Sequence, residues 1–73
     1  MPLSFAPPQV AVKITAVRAE EKIKKHLTEL GLLEGEKITL LSNQSGNVII
    51  AVKEGRLCLD GILASKISVA VVA

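Results

Sequence analysis

The sequence predicts a mostly β fold: one small, strongly bent sheet of five short strands closed into a barrel, with one short α-helix between the first and second strands. Three observations predict it. Apolar residues alternate with period two in five short runs, and one stretch alone switches to a helical period. The chain has 73 residues, room for one domain but not for two packed sheets. A domain this small buries only about 60 % of its unfolded surface, so its core must be dense, and hydrophobic residues make up 49 % of the chain. Nearly all are Val, Ile, Leu and Ala; Phe5 is the single aromatic residue.

Residues 1–9 read as an extended lead-in, because Pro7 and Pro8 disfavour helix. Val10 to Arg18 is the first strand, with Val12, Ile14 and Ala16 following Val10 on one face and Ala11, Lys13, Thr15 and Val17 on the other. From Glu20 to Leu30 the apolar positions become Ile23, Leu27 and Leu30, one stripe of a helix. Glu20 and Glu21 complement the dipole at its start. Gly31 fits the left-handed residue that ends a helix, with Leu32 folding back on Leu27. A helix of about three turns is unstable alone and must pack on the sheet.

Leu33-Glu34-Gly35 reads as a turn. Glu36 to Ser42 is the second strand, with Ile38 and Leu40 on one face, and Asn43 to Asn47 is a polar loop around Gly46. Val48 to Lys53 is the third strand. Glu54-Gly55 suits a tight hairpin. Arg56 to Asp60 is the fourth strand, with Leu57 and Leu59 inward and Arg56, Cys58 and Asp60 outward. Gly61 to Lys66 suits one helical turn, and Ile67 to Val72 is the last strand, with Ile67, Val69 and Val71 on one face.

Composition narrows the function. The formal net charge is +2, from nine basic and seven acidic residues without a run of either sign. That is a poor footprint for nucleic acid, and only Phe5 is available for base stacking. The single cysteine, Cys58, excludes an internal disulfide, and a domain this small without disulfides fits a reducing compartment. The N-terminus lacks a basic segment and is broken by Pro7-Pro8, so no signal peptide is expected. No apolar run approaches the roughly 18 residues a membrane span needs.

Catalysis finds no constellation. His26, Cys58 and Asp60 are each the only residue of their type, and nothing in the sequence requires them to meet. His26 and Glu29, three apart on the helix, supply at most half of a four-coordinate metal site, so they are weak candidates beside the plainer reading of a solvated face. The five glycines stand singly at turn positions and form no phosphate-binding loop. Cys58 reads as an outward thiol or, by default, a small strand filler. What remains is a binding module without an expected cofactor. Its exposed cations Lys22, Lys24 and Lys25 on the helix, or else the loops, are the candidate partner contacts.

One linear pattern is more specific. Leu27-Thr28-Glu29-Leu30-Gly31-Leu32-Leu33-Glu34-Gly35-Glu36-Lys37-Ile38 resembles the signature of the ferrous iron transport protein A family, FeoA. Gly46 to Val52, Gly55-Arg56-Leu57-Cys58-Leu59 and the segment from Leu59 through Ala64 to Ile67 and Val69 follow in that family's order. The chain departs from it in having no glycine from Val10 to Arg18. The resemblance implies an SH3-like barrel, a cytoplasmic protein that reaches the membrane through its partner, and a role beside the membrane ferrous iron transporter (FeoB) with its cytosolic GTP-binding domain. It carries no catalytic residues. Leu27, Leu30, Gly31, Leu32 and Gly35 read as its structural motif. Two alternatives stand beside this reading. One is a self-associating or generic interaction barrel, using outward Val and Ile of residues 10–17 or 69–72. The other is a metal-responsive barrel like the C-terminal domain of metal-dependent repressors, resting on His26, Glu29 and Cys58.

Overall fold

The structure is a computed structural model and describes residues 1–45, 47–53 and 55–72. Gly46, and with it the centre of the expected polar loop, lies outside the described residues, as does Glu54 of the expected hairpin turn. The elements are β1 (Ala11–Val17), α1 (Glu21–Glu29), β2 (Lys37–Gln44), β3 (Asn47–Val52), β4 (Gly55–Leu59), α2 (Gly61–Ser65) and β5 (Ile67–Val71), preceded by a single 3₁₀ turn at Leu3–Phe5. One antiparallel sheet holds all five strands in the order β4-β3-β2-β1-β5. The predicted strands, the helix between the first two, and the helical turn before the last strand are all present.

The core is aliphatic. Val12, Ile14, Leu27, Leu32, Ile38, Leu40, Val48, Ile50, Leu59, Ile67 and Val69 are buried together with Leu3, Ala6, Val17 and Ala64, and no polar or charged residue is buried among the described residues. Area removed from water therefore supplies the stabilisation without compensating polar networks.

Strict alternation fails in β1. Val12 and Ile14 are buried as expected, but Val17 is buried while Ala16 is only half-buried. The cause is a register shift against β5 between Ile14 and Ala16. One extra residue in a strand reverses the facing of everything after it and bends the strand. A second shift falls in β2 between Leu40 and Ser42. Beyond it the expected polar loop is strand as far as Gln44, paired with Asn47, and Ser45 has a positive φ of 57°.

The lead-in also differs from expectation, because it is part of the core rather than a plain extended run. Leu3 and Ala6 are buried, and their spacing of three suits the tight turn between them. Pro2 bridges Ser68, Val69 N–H donates to the Met1 carbonyl (2.7 Å), and the N-terminal ammonium donates to the Val69 carbonyl (3.0 Å). Further on, Asn43 Nδ2 donates to the Ser4 carbonyl (2.8 Å), and Gln9 donates through its N–H to Leu40 O (2.8 Å) and through Nε2 to Leu41 O (3.0 Å). The lead-in thus runs from the outer edge of β5 to the bulged half of β2. The curled sheet is seamed by this segment, not by a ladder between its end strands. The expected closure into a barrel is corrected accordingly: among the described residues the β5 edge is partly covered, and β4 ends the sheet. Physically, the chain leaves β4 for α2 at Asp60, so the residues that would pair β4 with β5 form a helix instead.

Candidate functional site

The signature segment builds a compact corner. Helix α1 ends in the double hydrogen bond of a Schellman cap: Gly31 N–H donates to Thr28 O (2.9 Å) and Leu32 N–H to Leu27 O (2.8 Å). Gly31 has φ +91°, and Leu27 and Leu32 are both fully buried, as the sequence predicts. The next turn closes with Glu36 N–H donating to Leu33 O (3.1 Å). Its third residue, Gly35, has φ +93°, the requirement of a type II turn. Gly35 N–H donates to Ile14 O and Ile14 N–H to Glu36 O, each at 2.9 Å. The corner is thereby fixed to β1.

Between this corner and the sheet lies a cleft of about 220 Å³. Buried Ile38 and half-buried Leu30 and Val52 give it an apolar floor. Glu29, Glu36, Lys37 and Lys53 stand among its walls. Thr28 belongs both to this cleft and to a shallow surface hollow with Glu21, Lys22, Lys24 and Lys25. The three lysines predicted as contacts are all exposed, and the structure makes them continuous with the cleft. The Thr28 hydroxyl donates back to the Lys24 carbonyl (2.9 Å) and ties the two parts together. The cleft is smaller than the roughly 300–1,000 Å³ of a typical small-molecule pocket. The sequence reading missed the cleft because Glu36, Val52 and Lys53 approach α1 only once the sheet has curled.

The remaining candidates lie apart. His26 and Glu29 are both exposed, but Glu29 lines the cleft and His26 does not. Among the described residues no group of three or more His, Cys, Asp or Glu comes together. Cys58 is exposed on β4, in a hollow with Ser42, Gln44, Ser45, Asn47 and Ile49. None of the described residues lining that hollow with Cys58 is a base or a cation. Asp60 caps α2, its Oδ1 accepting from Leu63 N–H (2.8 Å), which assigns it a structural duty. Of the outward faces read as self-associating, Val12, Val17 and Val69 are buried, whereas Val10 and Val71 are exposed. The most exposed large apolar side chains, Phe5 at 75 % and Ile62 at 72 %, were not singled out by any periodicity. They sit on the 3₁₀ turn and on α2, which pack together. No helix among the described residues is long and apolar enough to cross a membrane.

A curled five-stranded sheet, an aliphatic core and a charged cleft beside a short helix define a small barrel-like domain. Comparison with known proteins makes this specific. The FeoA domain family model matches residues 1–71, and the chain belongs to that family. It is similar in structure to an iron uptake regulatory protein, FeoA (TM-score 0.89, 23 % identity, covering 99 % of this chain and 97 % of that one). It is also similar to the Stenotrophomonas maltophilia FeoA complexed with zinc, described as an SH3 domain protein possibly acting as a ferrous iron transport activating factor (TM-score 0.80, 24 % identity, covering 96 % and 89 %). A manganese-dependent transcriptional repressor shares the fold over 36 % of its own length (TM-score 0.86, 14 % identity, 99 % of this chain). No curated protein sequence matches the chain. The fold is the small SH3-like one that the resemblance implies.

Proposed function

We propose that this chain is a non-catalytic accessory module of ferrous iron uptake that binds the membrane ferrous iron transporter on its cytosolic side, at or near the GTP-binding domain. The observation that carries the reading is the family match over residues 1–71, in a chain of 73. The site chemistry is compatible with it. Lys22, Lys24 and Lys25 are exposed on one short helix, and the adjoining cleft offers an apolar floor between charged walls. Such a surface favours a partner with acidic residues around one protruding apolar side chain, since complementary charge steers encounter and a filled pocket holds the complex. Metal ions enter this reading as the transporter's cargo.

The test is an NMR titration of the isotope-labelled chain with the isolated GTP-binding domain and, separately, with the full-length transporter in detergent. The expected result is a set of shifts centred on Lys22, Lys24, Thr28, Gly31 and Lys53. Shifts centred elsewhere would relocate the contact, and silence with both preparations would remove the transporter from the proposal.

A further inference from the structure

Strand β4 ends the sheet, and among the described residues only β3 pairs with it. Its outward residues alternate as Arg56, Cys58 and Asp60, all exposed. Their order is self-complementary: a cation and an acid stand equally far from the cysteine, on opposite sides. Asp60 follows β4 directly with an extended backbone (φ −72°, ψ 166°), and its carbonyl already accepts from Ala64 N–H (2.9 Å) as α2 begins. Its cap hydrogen bond uses Oδ1.

We propose that this edge binds a second copy of the same chain, the two β4 strands pairing antiparallel about a two-fold axis at Cys58. In that register each residue faces the one equally distant from the axis. Arg56 stands opposite Asp60 of the second copy, Leu57 opposite Leu59, and Cys58 opposite Cys58. Both charge pairs are thus opposite in sign, which is the favourable arrangement for facing residues. Centring on Leu57 would instead set Arg56 against Cys58 and leave Asp60 without its cation. The outer face gains as well. Cys58 pairs with Ile49 across β3, and Ile49 is 40 % exposed. The dimer makes a row of Ile49, Cys58, Cys58 and Ile49 across the axis, flanked by the charge pairs. The interface is isologous and closes, so it stops at two copies. An unpaired edge is the usual place for such addition.

The contact is a single short strand pair, so weak association, visible only at high protein concentration, is expected. Sedimentation equilibrium of the whole chain, under reducing conditions from about 10 μM to 1 mM, should show the mass rising from 7.7 kDa toward twice that value. Arg56→Asp places two carboxylates face to face on each side of the axis and should weaken association about tenfold or more, with unchanged circular dichroism. Cys58→Ser should still dimerise, because strand pairing and not a disulfide holds the copies. Diamide supplies a second readout. Facing residues of an antiparallel pair lie about 4.5–5.5 Å apart at Cα, within the roughly 4.4–6.8 Å a disulfide spans. Two Cys58 thiols would give up two protons and two electrons to diamide, which becomes the hydrazine, as one S–S bond forms. The wild type should cross-link about tenfold faster than Arg56→Asp, which carries the same thiol. A monomer throughout the concentration range overturns the proposal. So does an Arg56→Asp variant that associates or cross-links like the wild type.

Discussion

Replacing Gly31 by valine tests the cap on which the signature corner depends. At φ +91°, an added Cβ would meet no atom within 4 Å. The Cβ itself therefore meets no neighbour, and the cost is assigned to the backbone. For an L-residue the left-handed region costs about 1–2 kcal/mol, with β-branched residues at the upper end or beyond. Gly31→Ala should thus lose about 1 kcal/mol and Gly31→Val about 2 kcal/mol or more. In a domain of this size each 1 kcal/mol lowers Tm by about 4–8 °C, so the valine variant should melt some 8–16 °C lower. The chain has no Trp or Tyr, so far-UV circular dichroism is the assay. A D-alanine at the same position, accessible by chemical synthesis, makes the test sharper. Its natural preference is for positive φ, so it should match or exceed glycine by about 0.4–1 kcal/mol, through the lower entropy of its unfolded chain. A valine variant within 0.5 kcal/mol of wild type, or a D-alanine variant as weak as the L-alanine one, would refute the backbone argument.

Three other outcomes are expected. Leu3→Ala should cost about 2–4 kcal/mol in urea denaturation, because Leu3 is fully buried; a loss below 1 kcal/mol would mean that the lead-in is an appendage and not core. Asp60→Ala should lose about 1 kcal/mol with its cap bond to Leu63, and Asp60→Asn should lose only a few tenths; equal losses in thermal melts would assign the effect to charge instead. Reversing Lys24 and Lys25 to glutamate should change stability by no more than about 0.5 kcal/mol, yet weaken transporter binding about tenfold or more. Unaltered binding in calorimetry would take α1 out of the contact.

Much of this architecture was legible in the residues. The change of period at Glu20 marked α1, and Gly31 with Leu32 marked its cap, because each rests on local geometry that a few side chains dictate. The facing of Val17 was not legible. A bulge depends on how β5 pairs with β1, and the alternation of β1 alone holds no trace of it. The burial of Leu3 and Ala6 was hidden for a similar reason: the partners of the lead-in lie far along the chain, at Asn43, Ser68 and Val69. At the candidate site the same division holds. The exposed lysines follow from one helical stripe, whereas the cleft joins residues from three elements and exists only after folding.

The two register shifts have a consequence for how this chain tolerates change. Its long strands turn their corners at Thr15 in β1 and at Leu41 in β2, each the extra residue between shifted pairs. Neither is a glycine, the residue that often marks such bends. Curvature here is stored in the number of residues and not in their kind. Substitution at Thr15 or Leu41 leaves the count intact, and the barrel keeps its bend. Removing either one restores even alternation, straightens the strand and turns every later side chain to the wrong face. The two strands of this chain therefore tolerate a change of residue far better than a change of length.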